Sequence, residues 1–259
     1  MAETPKVEVY SSKVRVRFYV PEARKDQKIA LSTDQLRHLK VLRLHPGEEI
    51  AIFDGKGHEF TLPYSEKVSG RFMLENETEK VREPRTTITL AFAVPKGDRA
   101  DVLVEKVSEL GVSKLVPIVC GRSIVHPHKG KLERWRKIAI EACCQSERNI
   151  VPMISEPIPF AQLLENIKEY NQSFLCHGTG LPLGNEYTEV QSTLLIIGPE
   201  GDFTPVELVA AKEAGCTFVS LAPSTLRVET AAIVAVAQVV GMSEKANEKI
   251  KLTTTRQNQ

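Results

Sequence analysis

Residues 194–205 have the sequence Leu-Leu-Ile-Ile-Gly-Pro-Glu-Gly-Asp-Phe-Thr-Pro. The four aliphatic residues predict a short buried strand that ends at Gly198. Thr204 fits the N-cap of a helix, because a proline follows at the first helical position and a glutamate stands three residues after the cap. Gly215 fits the end of that helix, and residues 217–221 predict the next strand. A strand–helix–strand unit of this kind implies parallel strands in one sheet.

The same alternation of elements continues toward both ends of this unit. Strands are predicted over residues 86–94, 114–119 and 173–176, and helices over 98–110, 132–144, 205–214 and 230–242. Strands that alternate with helices indicate an α/β domain, with a mostly parallel sheet covered by helices on both faces. We predict that this domain spans residues 84–247 and that 248–259 form a disordered tail.

The first part of the chain has a different pattern, with short strand-like runs rather than long helical ones. Ser32 fits the N-cap of one helix. Two runs, 49–53 and 59–62, flank Asp54-Gly55, a dipeptide typical of tight hairpins. A polar linker follows. These features predict a compact β-barrel domain over residues 1–83.

Composition excludes some classes of protein. The chain has 259 residues, a formal net charge of +1 and 42% hydrophobic residues, which excludes a disordered chain and a wholesale polyelectrolyte. Charge is nevertheless uneven: residues 11–43 hold nine Lys or Arg against three acidic residues, and residues 122–148 hold seven against three. Clustered basic residues are typical of proteins that bind a polyanion. A solvated surface is the alternative for either segment, but two such segments favour RNA or DNA as the partner.

Missing motifs exclude several kinds of site. The chain has no P-loop, no dinucleotide-binding glycine pattern, no G-x-S-x-G elbow and no H-E-x-x-H motif. His126 and His128 lie in a loop without a nearby acidic residue, so we predict no metal. Five cysteines without a C-x-x-C pair indicate reduced thiols. We expect a cytoplasmic protein without membrane contact, since no signal-like segment and no apolar run of roughly 20 residues is present.

Two loops hold the remaining candidates for chemistry. The first, 198–201, follows the buried strand, and ligands of open α/β sheets bind beyond the carboxyl ends of the strands. A tight turn with a solvated glutamate is the alternative for this loop. The second loop brings Arg227 and Glu229 next to an otherwise apolar helix. The alternative for Glu229 is that it, or Thr230, caps that helix. Arg227 has no such alternative, and a lone cationic side chain between a strand and a buried helix more often binds a ligand or substrate.

Seven segments, including both loops, share a recognisable pattern. They are Ile196-Ile197-Gly198-Pro199-Glu200-Gly201, Leu226-Arg227-Val228-Glu229-Thr230-Ala231, His38-Leu39-x-Val41-Leu42-Arg43, Phe53-Asp54-Gly55, Lys106-x-x-Glu109-Leu110-Gly111-Val112, Arg122-Ser123 and Glu141-Ala142-Cys143-x-Gln145-Ser146-x-Arg148-Asn149. Together they resemble the ribosomal RNA small-subunit methyltransferase E family, of the SPOUT superfamily, whose members methylate N3 of a uridine in small-subunit rRNA. The resemblance covers roughly residues 17–242.

Two positions depart from the family pattern. Asp202 stands where the family often has a second glycine, and we expect this change to alter only the geometry of the loop. Ala222-Pro223-Ser224 stands where the family often has Gly-x-Arg, so a cation near the expected cofactor loop is missing.

The resemblance implies a PUA-like β-barrel followed by a knotted α/β domain, in which the C-terminal segment threads through a loop. It implies S-adenosyl-L-methionine as the cofactor and a homodimer, for which the apolar final helix could supply the interface. The residues that it places around the cofactor are Leu175, His177, Gly178, Ile197, Gly198, Pro199, Glu200, Gly201, Leu221, Ala222, Ser224, Leu226 and Arg227.

The implied reaction also sets requirements on the site. Uridine N3 is mostly protonated at neutral pH and lies on the Watson–Crick edge, so the base must be unpaired and its proton removed or offset. We expect Arg227 to stabilise negative charge on the uracil oxygens and Glu229 to orient Arg227 or relay the proton.

The expected partner is small-subunit rRNA within the assembled subunit. Candidate RNA contacts are Arg17, His38, Arg43, Lys96, Arg122, Gln145 and Arg148. Two alternatives stay open: a SPOUT methyltransferase that acts on a ribose 2′-hydroxyl or another base, and a non-catalytic dimeric RNA-binding protein.

Overall fold

The computed structural model describes residues 14–64, 71–78 and 82–257. The chain divides into two compact units, Met1–Val81 and Arg82–Gln259. This division lies two residues before the boundary that the sequence predicts, within the same polar stretch.

The described part of the N-terminal unit contains five short strands and one helix. They are β1 (Val14–Tyr19), β2 (Lys28–Ala30), α1 (Thr33–Val41), β3 (Glu49–Phe53), β4 (Glu59–Pro63) and β5 (Arg71–Met73). One sheet has the order β1-β3-β4, with β1 parallel to β3 and β3 antiparallel to β4. The second sheet is the antiparallel pair of β2 and β5. Both sheets contribute to one hydrophobic core, which includes Phe18, Ile29, Ile52, Phe60 and Phe72.

Two local predictions for this unit are confirmed. β3 and β4 form the expected hairpin, and its turn is held by Asp54, whose Oδ1 accepts the backbone N–H groups of Lys56 at 2.7 Å and His58 at 3.1 Å. Ser32 caps α1, because its Oγ accepts the backbone N–H of Gln35 and the Gln35 side chain accepts the backbone N–H of Ser32. Both signals are reliable in the sequence because each depends on groups only a few residues apart.

The C-terminal unit contains seven strands and six α-helices in the part of the chain described. They are β6 (Thr87–Ala93), α2 (Arg99–Leu110), β7 (Lys114–Val119), α3 (Lys129–Gln145), β8 (Met153–Ile154), β9 (Ile158–Pro159), α4 (Phe160–Glu165), β10 (Gln172–Pro182), α5 (Leu183–Glu186), β11 (Ser192–Ile197), α6 (Pro205–Ala214), β12 (Thr217–Ser220) and α7 (Val228–Gln257). The sheet order is β12-β10-β11-β6-β7-β8, and β9 also pairs with β7. All of these pairs are parallel, as predicted.

Helices cover both faces of this sheet. Along β11, Leu195 and Ile197 belong to a core that includes residues of α2, α3 and α7. Leu194 and Ile196 belong to a second core, which includes residues of α4 and α6. This division follows from the alternation of side chains along a strand. The aliphatic run is therefore buried on both faces, as a central parallel strand requires.

Three elements extend further than the sequence predicts. β10 continues to Pro182, and α3 begins at Lys129. The predicted disordered tail is corrected for residues 248–257, because α7 continues to Gln257. That segment contains no glycine or proline, and its glutamate, lysine, leucine, arginine and glutamine residues favour a helix. No helix in the described ranges combines the length and the apolar character needed to cross a membrane.

Candidate active site

The carboxyl ends of β11 and β12, together with an irregular part of β10 that lies between these strands in the sheet, surround a cavity of about 660 Å³. Residues from three loops form its wall, within 176–179, 197–202 and 220–228, together with Ala231 of α7. The loops meet because parallel strands end at the same edge of a sheet. The volume lies in the range of roughly 300–1,000 Å³ that is typical of small-molecule pockets.

The first loop arises from an irregularity in β10. Cys176 and Leu181 both pair with Val219 of β12, so the chain between them leaves the regular register. Gly180 makes this possible, because a Cβ atom there would lie 2.3 Å from the backbone nitrogen of Val219. The bulge places His177 on the cavity wall.

The second loop is fixed by a close approach between Gly198 and Phe203. The Phe203 ring is buried and lies 5.0 Å, centroid to centroid, from the ring of Phe160. A Cβ atom at Gly198 would lie 2.6 Å from Cε2 of Phe203, so only glycine fits without a shift of the ring. The predicted helix start follows directly: Thr204 and Glu207 form a reciprocal capping box at the N-terminus of α6.

Asp202 gives this loop more than a change of geometry. Its φ of 63° is in the left-handed region, and its N–H donates to the Pro199 carbonyl at 2.9 Å. Aspartate tolerates this conformation because its side chain can bond to local backbone, here by Oδ1 accepting the Phe203 N–H at 2.8 Å. Its Oδ2 lies 3.2 Å from Nε2 of His177. The replacement of glycine therefore keeps the turn and adds a carboxylate to the cavity wall, which the sequence analysis did not expect.

Glu200 is paired rather than simply solvated. Its Oε1 lies 3.0 Å from Nη1 of Arg99, and the two side chains are 31% and 37% exposed. Arg99 is the first residue of α2 and far from Glu200 in the sequence, so spacing gave no signal for this pair. The ion pair holds one carboxylate of the second loop at the cavity.

The third loop separates the two predicted catalytic residues. Arg227 is exposed and lines the cavity. Glu229 lies in the first turn of α7, outside the cavity wall, and its Oε2 is buried without a hydrogen-bond partner among the described residues. The described chain contains no ion pair between them. The predicted role of Glu229, to orient Arg227 or relay a proton, stays a prediction. As the second residue of α7, Glu229 is not the N-cap of that helix.

Most of the predicted cofactor residues meet at this cavity. Those on its wall are His177, Gly178, Ile197, Gly198, Pro199, Glu200, Leu221, Ala222, Ser224, Leu226 and Arg227. Leu175 is not among them, because its side chain points into the core and is fully buried. Gly201 also lies off the wall and faces Arg122, with 3.4 Å between the position of a Cβ atom and Cβ of Arg122.

Other wall residues were not named individually among the predicted cofactor residues. They are Cys176, Thr179, Asp202, Ser220, Pro223, Thr225, Val228 and Ala231. Each of them lies within a few residues of a predicted cofactor residue. Their nearness to the end of a strand, rather than a motif, is therefore the feature of the sequence that could have predicted them. Burial raises the pKa of the Cys176 thiol to about 12, so this thiol stays protonated and neutral near pH 7.

Two predicted RNA contacts are instead buried ion pairs. The Arg17 side chain is 4% exposed, its Nη2 lies 2.6 Å from Oε2 of Glu59, and its guanidinium lies over the Phe53 ring. The Arg148 side chain is 3% exposed and pairs with Glu83. A guanidinium that is buried against a carboxylate is not available to a phosphate, so both predictions were wrong.

The other predicted RNA contacts are exposed. They are His38 and Arg43 in the N-terminal unit and Lys96, Arg122 and Gln145 in the C-terminal unit. The Arg122 guanidinium donates to the carbonyl oxygens of Gly201 at 2.9 Å and Phe203 at 3.4 Å, which holds it beside the second loop. Across residues 14–64, 71–78 and 82–257, no group of three or more His, Cys, Asp or Glu side chains could hold a metal ion.

Comparison with known proteins gives a consistent result. A model of an RNA methyltransferase domain matches residues 82–240, and a model of an RNA methyltransferase PUA domain matches residues 31–62. Ribosomal RNA small subunit methyltransferase E of Synechocystis sp. is 33% identical over 232 residues, which are 86% of this chain and 76% of the relative.

Solved structures of methyltransferases are also similar to this chain. A ribosomal RNA small subunit methyltransferase E from Neisseria gonorrhoeae, bound to S-adenosyl methionine, superposes with a TM-score of 0.80 at 34% identity, covering 88% of this chain and 97% of that chain. A methyltransferase from Legionella pneumophila in complex with the same cofactor has a TM-score of 0.76 at 31% identity, covering 86% and 96%. The predicted SPOUT-type fold, with its PUA-like first domain, is thus confirmed. This chain belongs to the ribosomal RNA small subunit methyltransferase E family.

Proposed function

We propose that this protein transfers the methyl group of S-adenosyl-L-methionine to N3 of a uridine in small-subunit ribosomal RNA. The observation that carries the proposal is the cavity at which three strand-end loops meet, with Arg227 as the one Lys or Arg side chain on its described wall. The N. gonorrhoeae relative, whose structure contains S-adenosyl methionine, shares this fold at 34% identity.

The residues on the wall fit this cofactor. Ile197 and Leu226 offer apolar surface for an adenine ring, and the glycine- and proline-rich loops present backbone amides and carbonyls to its polar edge. Glu200 and Asp202 place two carboxylates where positive sulfonium and ammonium groups would be attracted. When bound, the cofactor supplies a methyl group on a positively charged sulfur.

Arg227 fits the role of stabilising the target base. Removal of the N3 proton leaves negative charge on the uracil oxygens, and a guanidinium placed beside them stabilises such charge. Its exposed position on the cavity wall leaves it accessible to a base that enters from solvent. The base must be unpaired, because N3 lies on its Watson–Crick edge.

RNA would be held by exposed basic and polar side chains. His38 and Arg43 belong to the PUA-like unit, and Lys96, Arg122 and Gln145 belong to the catalytic unit. Contacts of this kind to phosphates make RNA affinity fall steeply as salt rises. We propose small-subunit rRNA within the assembled subunit as the partner, which implies a cytoplasmic location.

A homodimer is part of the proposal. A second cavity, of about 620 Å³, lies between α5, the end of β12 and α7, and its wall includes Leu183, Leu221, Ala237 and Met242. This mostly apolar groove supports the use of α7 as a subunit interface. Sedimentation at equilibrium tests it: a dimer is expected, and a monomer at all accessible concentrations would contradict it.

Nucleoside analysis tests the proposed reaction. The protein is incubated with small ribosomal subunits and methyl-labelled cofactor, and the digested RNA is analysed by mass spectrometry. We expect labelled 3-methyluridine. A labelled 2′-O-methyl nucleoside or another methylated base would show a different target, and RNA binding without any incorporation would show a non-catalytic binding protein.

A further inference from the structure

His177 is held by a hydrogen-bond chain that the proposed function does not yet use. Its Nε2 lies 3.2 Å from Oδ2 of Asp202, and its Nδ1 lies 2.7 Å from Oγ1 of Thr179. A carboxylate only accepts hydrogen bonds, so Nε2 carries the proton of the neutral ring. Nδ1 then carries the unprotonated lone pair, which accepts the Thr179 hydroxyl and, at 3.3 Å, the Thr179 backbone N–H.

All three members of this chain lie on the wall of the cofactor cavity. The His177 side chain is 15% exposed, and its ring centroid lies 6.1 Å from that of Phe218. Thr179 is exposed. In catalytic triads, a histidine that is oriented by a carboxylate and hydrogen-bonded to a hydroxyl takes the proton of that hydroxyl. His177, Asp202 and Thr179 provide the same three kinds of group.

The other titratable groups on the wall are less suited to accept a proton. Glu200 is paired with Arg99, and Arg227 is already a cation. The Cys176 thiol stays protonated, because burial raises its pKa to about 12. Glu229 lies outside the cavity. Asp202 is also on the wall, but its carboxylate already accepts the Phe203 N–H and lies 3.2 Å from Nε2 of His177. Among these groups, His177 offers a nitrogen lone pair that is connected to the cavity space through the Thr179 hydroxyl.

We propose that His177 accepts the N3 proton of the target uridine through the hydroxyl of Thr179, with Asp202 as a positioning residue that fixes the ring tautomer. This inference rests on the proposed function. As the N3–H bond breaks, its electron pair forms the bond from N3 to the methyl carbon. The bond from that carbon to sulfur breaks, and its electron pair stays on sulfur. The N3 proton passes to Oγ1 of Thr179, whose own proton passes to Nδ1 of His177, and the imidazolium is stabilised by Asp202.

Rate measurements test the relay. Single-turnover methylation of small ribosomal subunits is followed across pH in the wild-type protein and in His177→Gln, Thr179→Val and Asp202→Asn. We expect about a 10²- to 10⁴-fold loss in the first two variants, the usual effect of removing general base catalysis. Thr179→Ser keeps the hydroxyl and should stay within a few-fold of wild type. In the wild type the rate should fall on acidification with a one-proton dependence that His177→Gln lacks.

Two readouts separate the relay from a structural or binding role. Nitrogen-15 spectra of the imidazole should show protonated Nε2 in the wild type and a mixed tautomer population in Asp202→Asn. Calorimetry should show cofactor affinity in Thr179→Val within a few-fold of wild type. Protonation at Nδ1 in the wild type, or a wild-type rate in Thr179→Val, would overturn the relay.

The outcomes also separate the relay from the function on which it rests. If the wild-type protein forms no 3-methyluridine, the proposed function is wrong and the relay falls with it. If the wild-type protein forms 3-methyluridine and His177→Gln forms it at the same rate across pH, the relay alone is wrong.

Discussion

Arg148 and Glu83, 65 residues apart in the sequence, form a buried ion pair that joins several parts of the catalytic unit. Nε of Arg148 donates to Oε2 of Glu83 at 2.9 Å, and Oε1 of Glu83 accepts the backbone N–H groups of Asn149 and Ile150, both at 3.0 Å. Nη1 of Arg148 also donates to the carbonyl of Ser108, in α2, at 2.6 Å. The pair thus fixes the chain after α3 against α2.

Arg148→Ala should therefore destabilise the fold rather than weaken RNA binding directly. Breaking a buried pair leaves a carboxylate without its cation, which costs about 3–5 kcal/mol. The free energy of unfolding from urea denaturation measures this loss. Lys96→Ala, at an exposed position of the same unit, is the matched control and should change that free energy by less than about 0.5 kcal/mol. A stable Arg148→Ala protein with reduced RNA affinity would restore Arg148 as a phosphate contact.

Glu207 should make the stability of the catalytic unit sensitive to acid. Burial raises the pKa of Glu207, but hydrogen bonds from the Thr204 and Gly121 N–H groups and the Thr204 hydroxyl, with the charge of Arg122, leave it below the ordinary 4.5. A lowered folded-state pKa stabilises the protein above the unfolded-state value and loses that contribution as pH falls through the folded-state value. As the pH is lowered from 6 to 3, the free energy of unfolding, measured by denaturation, should fall more steeply in wild type than in Glu207→Gln. An equal pH dependence of the unfolding free energy in wild type and Glu207→Gln would contradict this expectation. So would the same reduction of that pH dependence in the control Glu213→Gln, which changes an exposed carboxylate.

Gly198→Ala should damage the cofactor cavity through Phe203. The added methyl group would lie 2.6 Å from a buried ring, so the loop or the ring must move, which costs about 1–3 kcal/mol. We expect cofactor affinity, measured by calorimetry, to fall about 10-fold or more. Combining Gly198→Ala with Phe203→Leu removes the ring and should recover part of the affinity. Wild-type affinity in the single variant would show that the loop adapts freely.

Cys176 and Cys216 should resist alkylation in the folded protein. Burial raises the pKa of each thiol to about 12, and the thiolate is the form that reacts. Iodoacetamide labelling at pH 8, located by peptide mass spectrometry, should be at least about 10-fold slower at both sites than in urea-unfolded protein. Rapid labelling of Cys176 in the native state would show that the cavity wall is more open than described.

Arg227→Ala should impair catalysis more than binding. Loss of a group that stabilises developing charge costs about 10²- to 10³-fold in rate. Single-turnover methylation should fall by this amount, while cofactor affinity stays within a few-fold, and Arg227→Lys should retain an intermediate rate. Full turnover with unchanged RNA affinity in Arg227→Ala would remove Arg227 from the mechanism.

Features that depend on neighbouring residues could be predicted from the sequence. Ser32 and Thr204 cap helices as expected, because a cap is bonded within three residues. The apolar run of β11 and the Gly198 that follows it also predicted the place of the cavity, since ligands bind at strand ends in such sheets.

Features that depend on distant partners could not be predicted. The charge counts included Arg17 and Arg148, but their partners lie 42 and 65 residues away, and only the fold shows that both pairs are buried. Asp202 was noted as a departure from the family pattern, yet its bond to His177 depends on the bulge in β10. The pairing of Glu200 with Arg99 likewise joins residues that are far apart in the sequence.

Primer extension along small-subunit rRNA tests the central claim most directly, because a methyl group on N3 blocks the Watson–Crick edge that reverse transcriptase must read. Subunits are incubated with the protein, with and without S-adenosyl-L-methionine, before extension. We expect a single new stop at one uridine that requires both the protein and the cofactor and is strongly reduced with Arg227→Ala. Unchanged extension through all uridines, with cofactor present and bound, would contradict the proposed reaction.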